Sequence, residues 1–315
     1  MPTFAACDEI RRADGYAPLR DYAAIGDGRT VALVARDGSI DWLCLPDLDS
    51  PPVFAALLDA RRGGRFVIAP VSPCETSRRY LPGTNVLETT FHTDGGAVRV
   101  TDAMTVPGKA MSPEREVVRV VEAEGAPVAM RWKVVPRFGY GTAKTRITTR
   151  AGVPVAVSGA HAIALCSWDA GVAVLSEESI SGRFDATRQR AVFSLCSSYQ
   201  EPLVLPSRLD VEERLVATTT LWRGWSGRLR TVRAWAGEVV RSALVLKLLV
   251  HAPSGAIAAA ATTSLPEVMG GERNWDYRFC WVRDAAFVLG ALLRLGCVEE
   301  ADAFFWWLMQ ASQLT

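Results

Sequence analysis

Residues 273–284, RNWDYRFCWVRD, combine four aromatic side chains with three arginines and two aspartates. Sugars present C–H faces that lie flat on aromatic rings, and hydroxyl groups that need directed hydrogen bonds. An arginine offers a rigid fork of N–H donors, and a carboxylate accepts hydrogen bonds from neighbouring hydroxyl groups. The segment therefore indicates a carbohydrate site, although ion pairs beside buried tryptophans also occur as plain structure.

Four residues of the segment are candidate substrate-binding residues: Tyr277, Trp281, Arg283 and Asp284. A purely structural interpretation stays open for each of them. Asp284 would then cap the helix that follows it, and Arg283 would form a structural ion pair. The two aromatic rings would pack in a core.

The neighbouring residues rank below these four. Asp276 and Arg278 lie two positions apart and are expected to pair with each other. Trp275 and Phe279 are expected to contribute packing.

The charge balance argues against a nucleic-acid partner. The 35 lysines and arginines nearly cancel the 34 aspartates and glutamates, for a net charge of +1, whereas binding to phosphates usually requires a basic excess. The most apolar stretch, residues 239–250, is too short and too charged to span a bilayer. The first residues lack the order of a secretory signal. We therefore expect a cytoplasmic protein without a membrane partner.

Cysteine and histidine spacing gives no sign of a metal site. The seven cysteines contain no CxxC pair, and an odd number without framework spacing favours reduced thiols. His92, His161 and His251 lie far apart and form no HExxH pattern. We expect no metal ligands in this chain.

The N-terminal part of the chain, from about residue 17 to 205, has a β-strand pattern. Short apolar or alternating runs are separated by Gly, Pro and Asp turn signals. The clearest hairpin signal is Asp37–Gly38 between TVALVA and SIDWLCL, because glycine tolerates a positive φ angle. Many strands with no helix between them predict an antiparallel β-sandwich.

The C-terminal part has a helical period. Four helices are predicted, over residues 211–230, 234–250, 285–295 and 298–313. Asp210 is the predicted N-cap of the first helix and Asp284 that of the third, with Gly296 as its stop signal. The second helix is apolar nearly all round, so we expect it to be buried on most sides.

The last predicted helix is apolar on two sides. One stripe contains Ala301, Phe304, Phe305, Leu308 and Met309, and the other side contains Trp306 and Trp307. Burying one such large side chain is worth about 1.5–3 kcal/mol, and exposing several is a liability. We infer that the sequence ends part-way through a helical domain. The alternative is that the β-domain or a second copy covers this helix.

Four stretches of the chain resemble glycoside hydrolase family 15, the bacterial glucoamylase and trehalase-like enzymes. They are IGDGRTVALVARDGSIDWLCLPDLDSPPVFAALLD (25–59), RRYLPGTNVLETTF (78–91), GAIAAAATTSLPE (255–267) and GGERNWDYRFCWVRDAAF (270–287). The resemblance implies an α+β multidomain fold. Its parts are a supersandwich-like antiparallel β-sandwich over 17–207, a helical linker over 208–231, and the first helices of an incomplete (α/α)6 barrel over 232–315.

The resemblance also assigns roles to the four candidate residues. In the family the pattern Y-x-x-x-W-x-R-D lines the subsite for the non-reducing glucose, and here it falls on Tyr277, Trp281, Arg283 and Asp284. By this resemblance Arg283 and Asp284 grip sugar hydroxyl groups. Tyr277 contacts the sugar ring, and Trp281 shapes the pocket wall.

The family inverts the anomeric configuration with two glutamates, one protonating the leaving oxygen and the other activating water. The resemblance places both glutamates C-terminal to Thr315, so no catalytic residue is expected in this chain. Glu272, Glu299 and Glu300 match no catalytic motif.

The resemblance thus implies the N-terminal part of an inverting, exo-acting α-glucoside hydrolase of trehalase or glucoamylase type, inactive as this chain alone. Its substrate would be trehalose or another α-glucoside. No cofactor is expected, although the family includes trehalases that depend on phosphate or magnesium. Two interpretations stay open beside it. One is a non-catalytic carbohydrate-binding or assembly protein that uses the β-domain. The other is a chain that pairs with a second copy or with a separate C-terminal half.

Overall fold

The computed structural model describes residues 12–106, 113, 115–232, 234–265 and 270–313. A short 3-10 helix, Leu19–Asp21, precedes the first strand. Sixteen strands then follow within these ranges: β1 Tyr22–Gly26, β2 Val31–Ala35, β3 Ser39–Cys44, β4 Pro52–Phe54, β5 Arg65–Pro70, β6 Glu75–Tyr80, β7 Leu87–Thr93, β8 Gly96–Met104, β9 Arg115–Glu124, β10 Val128–Val135, β11 Arg146–Arg150, β12 Val153–Ser158, β13 His161–Trp168, β14 Val174–Leu175, β15 Ile180–Ala186 and β16 Ala191–Tyr199. The four helices after them are α1 Arg208–Ser226, α2 Ala236–Leu248, α3 Val282–Arg294 and α4 Val298–Gln313.

The strands form two antiparallel sheets. The first has the order β1-β2-β3-β5-β10-β15-β14, with β4 beside β3, and the second has the order β11-β12-β13-β16-β9-β8-β7-β6. Phe66 and Trp132 of the first sheet contact Phe193 of the second, with ring centroids 6.2 and 5.5 Å apart. The apolar side chains of the two facing sheets therefore share one core, as the β-strand pattern predicts.

The predicted Asp37–Gly38 hairpin is confirmed between β2 and β3. The Gly38 N–H donates to the Ala35 carbonyl at 3.0 Å, and Gly38 has a φ angle of +82°. A Cβ atom at this position would lie 2.2 Å from the Ile68 carbonyl oxygen. The turn thus requires glycine for both its backbone conformation and the close approach of β5.

A buried arginine joins the two sheets. Arg119 on β9 and Asp102 on β8 are fully buried and lie directly opposite each other, and Arg119 Nε donates to Asp102 Oδ1 at 2.8 Å. The same guanidinium donates to two carbonyls on the first-sheet side, those of Phe66 at 3.0 Å and Gly38 at 2.8 Å. Pairing and hydrogen bonding together make the buried charges tolerable.

All four predicted helices are present, but two predicted caps are wrong. Ser207 caps α1, and Asp210 is the third residue of a capping box that closes on Ser207. Helix α3 begins at Val282, so Asp284 lies inside its first turn and caps nothing. Gly296, with a φ angle of +87°, follows the C-cap Leu295 as predicted.

The helices bury only part of their apolar surface within the described chain. On α2 the buried residues are Ala243, Leu244 and Leu248, so the prediction that this helix is buried on most sides is wrong. On α4, Phe304 is buried against the other helices. Four large apolar residues of α4 remain exposed: Phe305, Trp306, Leu308 and Met309. No described residue covers them, as the sequence leads one to expect.

Helix α2 is docked on the sandwich through polar contacts to the backbone. Arg241 donates to the Thr84 carbonyl at 2.8 Å, and its guanidinium lies 3.9 Å from the centroid of the Tyr80 ring. In return, Asn85 Nδ2 donates to the Leu244 carbonyl at 3.2 Å. The helical part of the chain is therefore held to the sandwich by several directed bonds as well as by apolar contact.

The prediction of reduced cysteines is confirmed for five of the six described cysteines and is wrong for Cys74. Cys74 is disulfide-bonded, whereas Cys44, Cys166, Cys196, Cys280 and Cys297 are free thiols. Scattered spacing therefore did not guarantee reduced cysteines, and the cytoplasmic location stays a prediction. None of the helices in the described ranges has the length and apolar character needed to cross a bilayer.

Candidate functional site

The candidate residues lie on a turn that leads into α3. An isolated antiparallel bridge joins Asp276 to Thr263. The Ala260 N–H donates to the Tyr277 carbonyl at 2.7 Å, and the Ala259 N–H donates to the Phe279 carbonyl at 3.1 Å. Backbone hydrogen bonds to the preceding connection thus fix the turn in place.

Tyr277 and Trp281 form a stacked pair. Their ring centroids are 5.3 Å apart and the planes differ by 28°. Trp275 meets Trp281 edge-on at 6.3 Å, and Trp281 Nε1 donates to the Asp276 carbonyl at 3.3 Å. Both rings of the stacked pair are half-buried. They are therefore held in place and yet keep an accessible surface, so neither is a closed core residue.

Arg283 and Asp284 are accessible charged residues in the first turn of α3. Arg283 Nη2 lies 3.2 Å from Asp284 Oδ2, with 73% of the arginine side chain and 37% of the aspartate side chain exposed. An exposed ion pair contributes little to stability, so both groups remain available to a ligand. The turn and the start of α3 thus bring the stacked rings and this charged pair within a few residues of each other.

The expected pairing of Asp276 with Arg278 is confirmed. Arg278 Nη2 lies 2.7 Å from Asp276 Oδ2. Burial alone would raise the pKa of Asp276, but the hydrogen bonds from Arg278 outweigh it, and the pKa lies below its ordinary value. Burial would likewise lower the pKa of Arg278, and its bond to Asp276 more than compensates. Both groups therefore stay charged.

Two packing assignments are wrong. Trp275 and Phe279 are 57% and 54% exposed, so neither is a core residue in the described chain. Phe279 lines a cleft of about 370 Å³ together with Asp49, His251 and Trp307. This cleft lies where the sandwich meets the helices, and sequence reasoning missed it because its lining comes from distant parts of the chain.

A larger cleft lies elsewhere, on the first sheet. Its volume is about 740 Å³, and its lining includes Arg131, Lys133 and Arg183. None of the four candidate residues contributes to it. Cleft size therefore does not single out the candidate residues, which are distinguished by ring stacking and by the charged pair.

The buried glutamate of α4 has a structural role. Glu300 Oε1 accepts hydrogen bonds from Trp225 Nε1 at 2.7 Å and from Lys247 Nζ at 2.8 Å. Burial would raise the pKa of Glu300, but these two donors lower it below the ordinary value. The residue joins three helices, while its neighbour Glu299 is exposed. Among the described side chains, no three potential metal ligands cluster.

Comparison with known proteins gives matches over both parts of the chain. Residues 13–213 match the family described as Trehalase-like, N-terminal, and residues 236–314 match Glycosyl hydrolases family 15. A trehalase from Thermoplasma volcanium is 34% identical over 308 residues, which cover 94% of this chain and 48% of that protein. A trehalase from Mycobacterium tuberculosis is 34% identical over 324 residues, with 92% and 46% covered.

Comparison with solved structures also finds a protein of similar fold. A bacterial glucoamylase solved in complex with acarbose has a TM-score of 0.60 at 13% identity, covering 98% of this chain and 52% of that one. At this identity the likeness concerns the fold. The chain spans about half the length of the curated relatives that it matches.

Two antiparallel sheets followed by helices, as seen in the described residues, agree with the fold of that glucoamylase. The match to the Trehalase-like, N-terminal family covers 201 of the 315 residues, more than half of the chain. This chain belongs to the trehalase- and glucoamylase-like proteins of glycoside hydrolase family 15.

Proposed function

We propose that this chain is the N-terminal part of an inverting, exo-acting α-glucoside hydrolase of trehalase or glucoamylase type. The observation that carries the proposal is the stacked pair of Tyr277 and Trp281 beside the exposed pair of Arg283 and Asp284. A sugar face would lie on the rings, while the arginine fork and the carboxylate would bind its hydroxyl groups. The names of the trehalase relatives support this substrate class.

We further propose the domain plan that the resemblance implies. Residues 17–207 form the β-sandwich, residues 208–231 the helical linker, and residues 232–315 the first helices of an (α/α)6 barrel. The support is the exposed apolar side of α4, because further barrel helices would bury it.

The chain by itself would bind sugar without hydrolysing it. Inversion needs two carboxyl groups about 6.5–9.5 Å apart, with room for a water between them and the sugar. Glu300 is occupied by Trp225 and Lys247, and Glu299 is exposed. We place the acid and base glutamates in the part of the relatives that this chain does not span.

The test is calorimetric titration of the purified chain with trehalose and with acarbose, the ligand of the related glucoamylase structure. Charged hydrogen bonds are worth about 1.5–3 kcal/mol each, so Asp284→Ala and Arg283→Met should each weaken binding about tenfold or more. Arg294→Ala, at the other end of α3, is the matched control and should bind like wild type. Equal binding by all four proteins would refute the assignment.

A glucose-release assay separates binding from catalysis. We expect no turnover of trehalose or maltose by this chain. Turnover that Asp284→Ala abolishes would overturn the placement of the catalytic groups.

A second candidate function is a non-catalytic binding module in the sandwich. The cleft of about 740 Å³ on the first sheet favours it. In that case sugar binding would be insensitive to Arg283→Met and Asp284→Ala. It would instead be lost on Lys133→Gln or Arg183→Gln, both of which alter the lining of that cleft.

A further inference from the structure

We propose that Arg278 is the positioning residue of the sugar site, because it fixes the turn carrying Tyr277 and Trp281 to the sandwich. The part of this proposal that concerns sugar affinity rests on the proposed function. The part that concerns ring placement does not.

Arg278 reaches from the turn into a loop of the first sheet. Its Nη1 donates to the Ser50 carbonyl at 2.7 Å and lies 3.4 Å from the Leu48 carbonyl. The same atom lies 3.4 Å from Cys44 Sγ at the end of β3. The side chain is buried. These contacts connect the helical part to the loop that follows β3.

The rest of the guanidinium holds the turn itself. Nε and Nη2 donate to the two carboxylate oxygens of Asp276 at 3.0 and 2.7 Å. A buried arginine is tolerated when it is paired and its donors are satisfied. Lysine could not reproduce this arrangement, since it lacks a planar fork that serves two partners at once.

Asp276 connects Arg278 to the two aromatic rings. Its carbonyl accepts the hydrogen bond from Trp281 Nε1 at 3.3 Å, and Tyr277, the next residue, stacks on Trp281. Three consecutive contacts therefore run from Ser50 through Arg278 and Asp276 to the ring of Trp281. Loss of Arg278 would free the turn and leave Asp276 without its charge partner.

Arg241 provides a matched control. It too reaches from the helical part to a backbone carbonyl of the sandwich, that of Thr84 at 2.8 Å. It sits on α2 and makes none of the contacts that hold the turn. A general weakening of the joint between sandwich and helices should appear in both variants, whereas displacement of the rings should appear only at Arg278.

The experiment uses the 315-residue chain labelled with 5-fluorotryptophan and observed by fluorine NMR. Trp281→Phe assigns the Trp281 resonance. We expect Arg278→Met to shift or broaden that resonance and to weaken acarbose binding about tenfold, the effect of one charged hydrogen bond. Arg241→Met should leave the Trp281 resonance unchanged and the affinity for acarbose within about twofold of the wild-type value. Arg278→Lys should show an intermediate resonance shift without restoring full affinity.

An unchanged Trp281 resonance in Arg278→Met would overturn the proposal. Equal effects of Arg278→Met and Arg241→Met would also overturn it, since the role would then be general docking. If Arg278→Met does not fold, Asp276→Asn tests the same ion pair by changing the partner of Arg278. An unchanged Trp281 resonance in Asp276→Asn would also overturn the proposal. If the resonance responds while wild type binds no sugar, ring positioning stands and the proposed function fails.

Discussion

The arginine between the two sheets gives the sharpest prediction about stability. Arg119→Met would leave Asp102 as a fully buried carboxylate without its ion-pair partner. Breaking a buried pair from one side costs about 3–5 kcal/mol. The carbonyls of Phe66 and Gly38 would each lose one donor as well. For a domain of roughly 150–250 residues, such a loss lowers the melting temperature by about 6–20 °C.

The assay is thermal unfolding of the chain, followed by far-ultraviolet circular dichroism. Arg228→Met is the control, because Arg228 pairs with Glu299 at the surface, with side chains 64% and 81% exposed. An exposed ion pair is worth at most about 1 kcal/mol. The melting temperature of this control variant should therefore change little.

A second substitution separates charge from packing. Arg119→Met combined with Asp102→Leu removes both buried charges and should recover about 2 kcal/mol or more of the loss. A single variant as stable as wild type would refute the reasoning. So would a double variant no more stable than the single one, since the unpaired carboxylate would then not be the cause.

The remaining predictions concern the helices and the first hairpin. The lowered pKa of Glu300 means that its charged form stabilises the fold above the ordinary value of 4.5 and that this contribution is lost as the pH falls below it. Glu300→Gln should therefore flatten the acid limb of a plot of melting temperature against pH, and an unchanged limb would contradict this. Gly38→Ala should destabilise the chain by more than about 1 kcal/mol in the same melting assay, because of the positive φ angle and the clash with β5. Phe304→Ala should cost about 3–5 kcal/mol, whereas Trp306→Gln, at a position 65% exposed, should stay within about 0.5 kcal/mol.

Local signals in the sequence predicted the elements well. Helix α4 has the predicted bounds of 298–313, because acidic residues mark its start and a continuous helical period follows. The hairpin at Gly38 follows from a backbone requirement that only a few residues satisfy. The predicted cap of α1 is wrong for a local reason too: Ser207, three residues before Asp210, caps the helix and forms a capping box with it, so the helix begins at Arg208.

The sequence was enough to predict the four candidate residues, but not the contacts that hold their segment in place. Tyr277, Trp281, Arg283 and Asp284 lie in one short segment, so their types and spacing were enough to single them out. Arg278 contacts the Ser50 carbonyl, which lies 228 residues earlier in the chain. A backbone carbonyl is present at every residue, so the residue type at position 50 gives no sign of this contact. No local sequence pattern predicts which loop will lie beside Arg278. The exposure of Trp275 and Phe279 likewise depends on what packs nearby.

The joint between sandwich and helices has a consequence for how such proteins can vary. Arg278 and Arg241 donate to the backbone at Ser50 and Thr84, and Trp42 of β3 donates to the Ala261 carbonyl at 2.9 Å. Each acceptor belongs to the polypeptide itself, so a mutation of the residue that carries it leaves the bond intact. The residues that carry these three acceptors are thus free to vary in sequence, as long as the three donors and the course of the loops are kept.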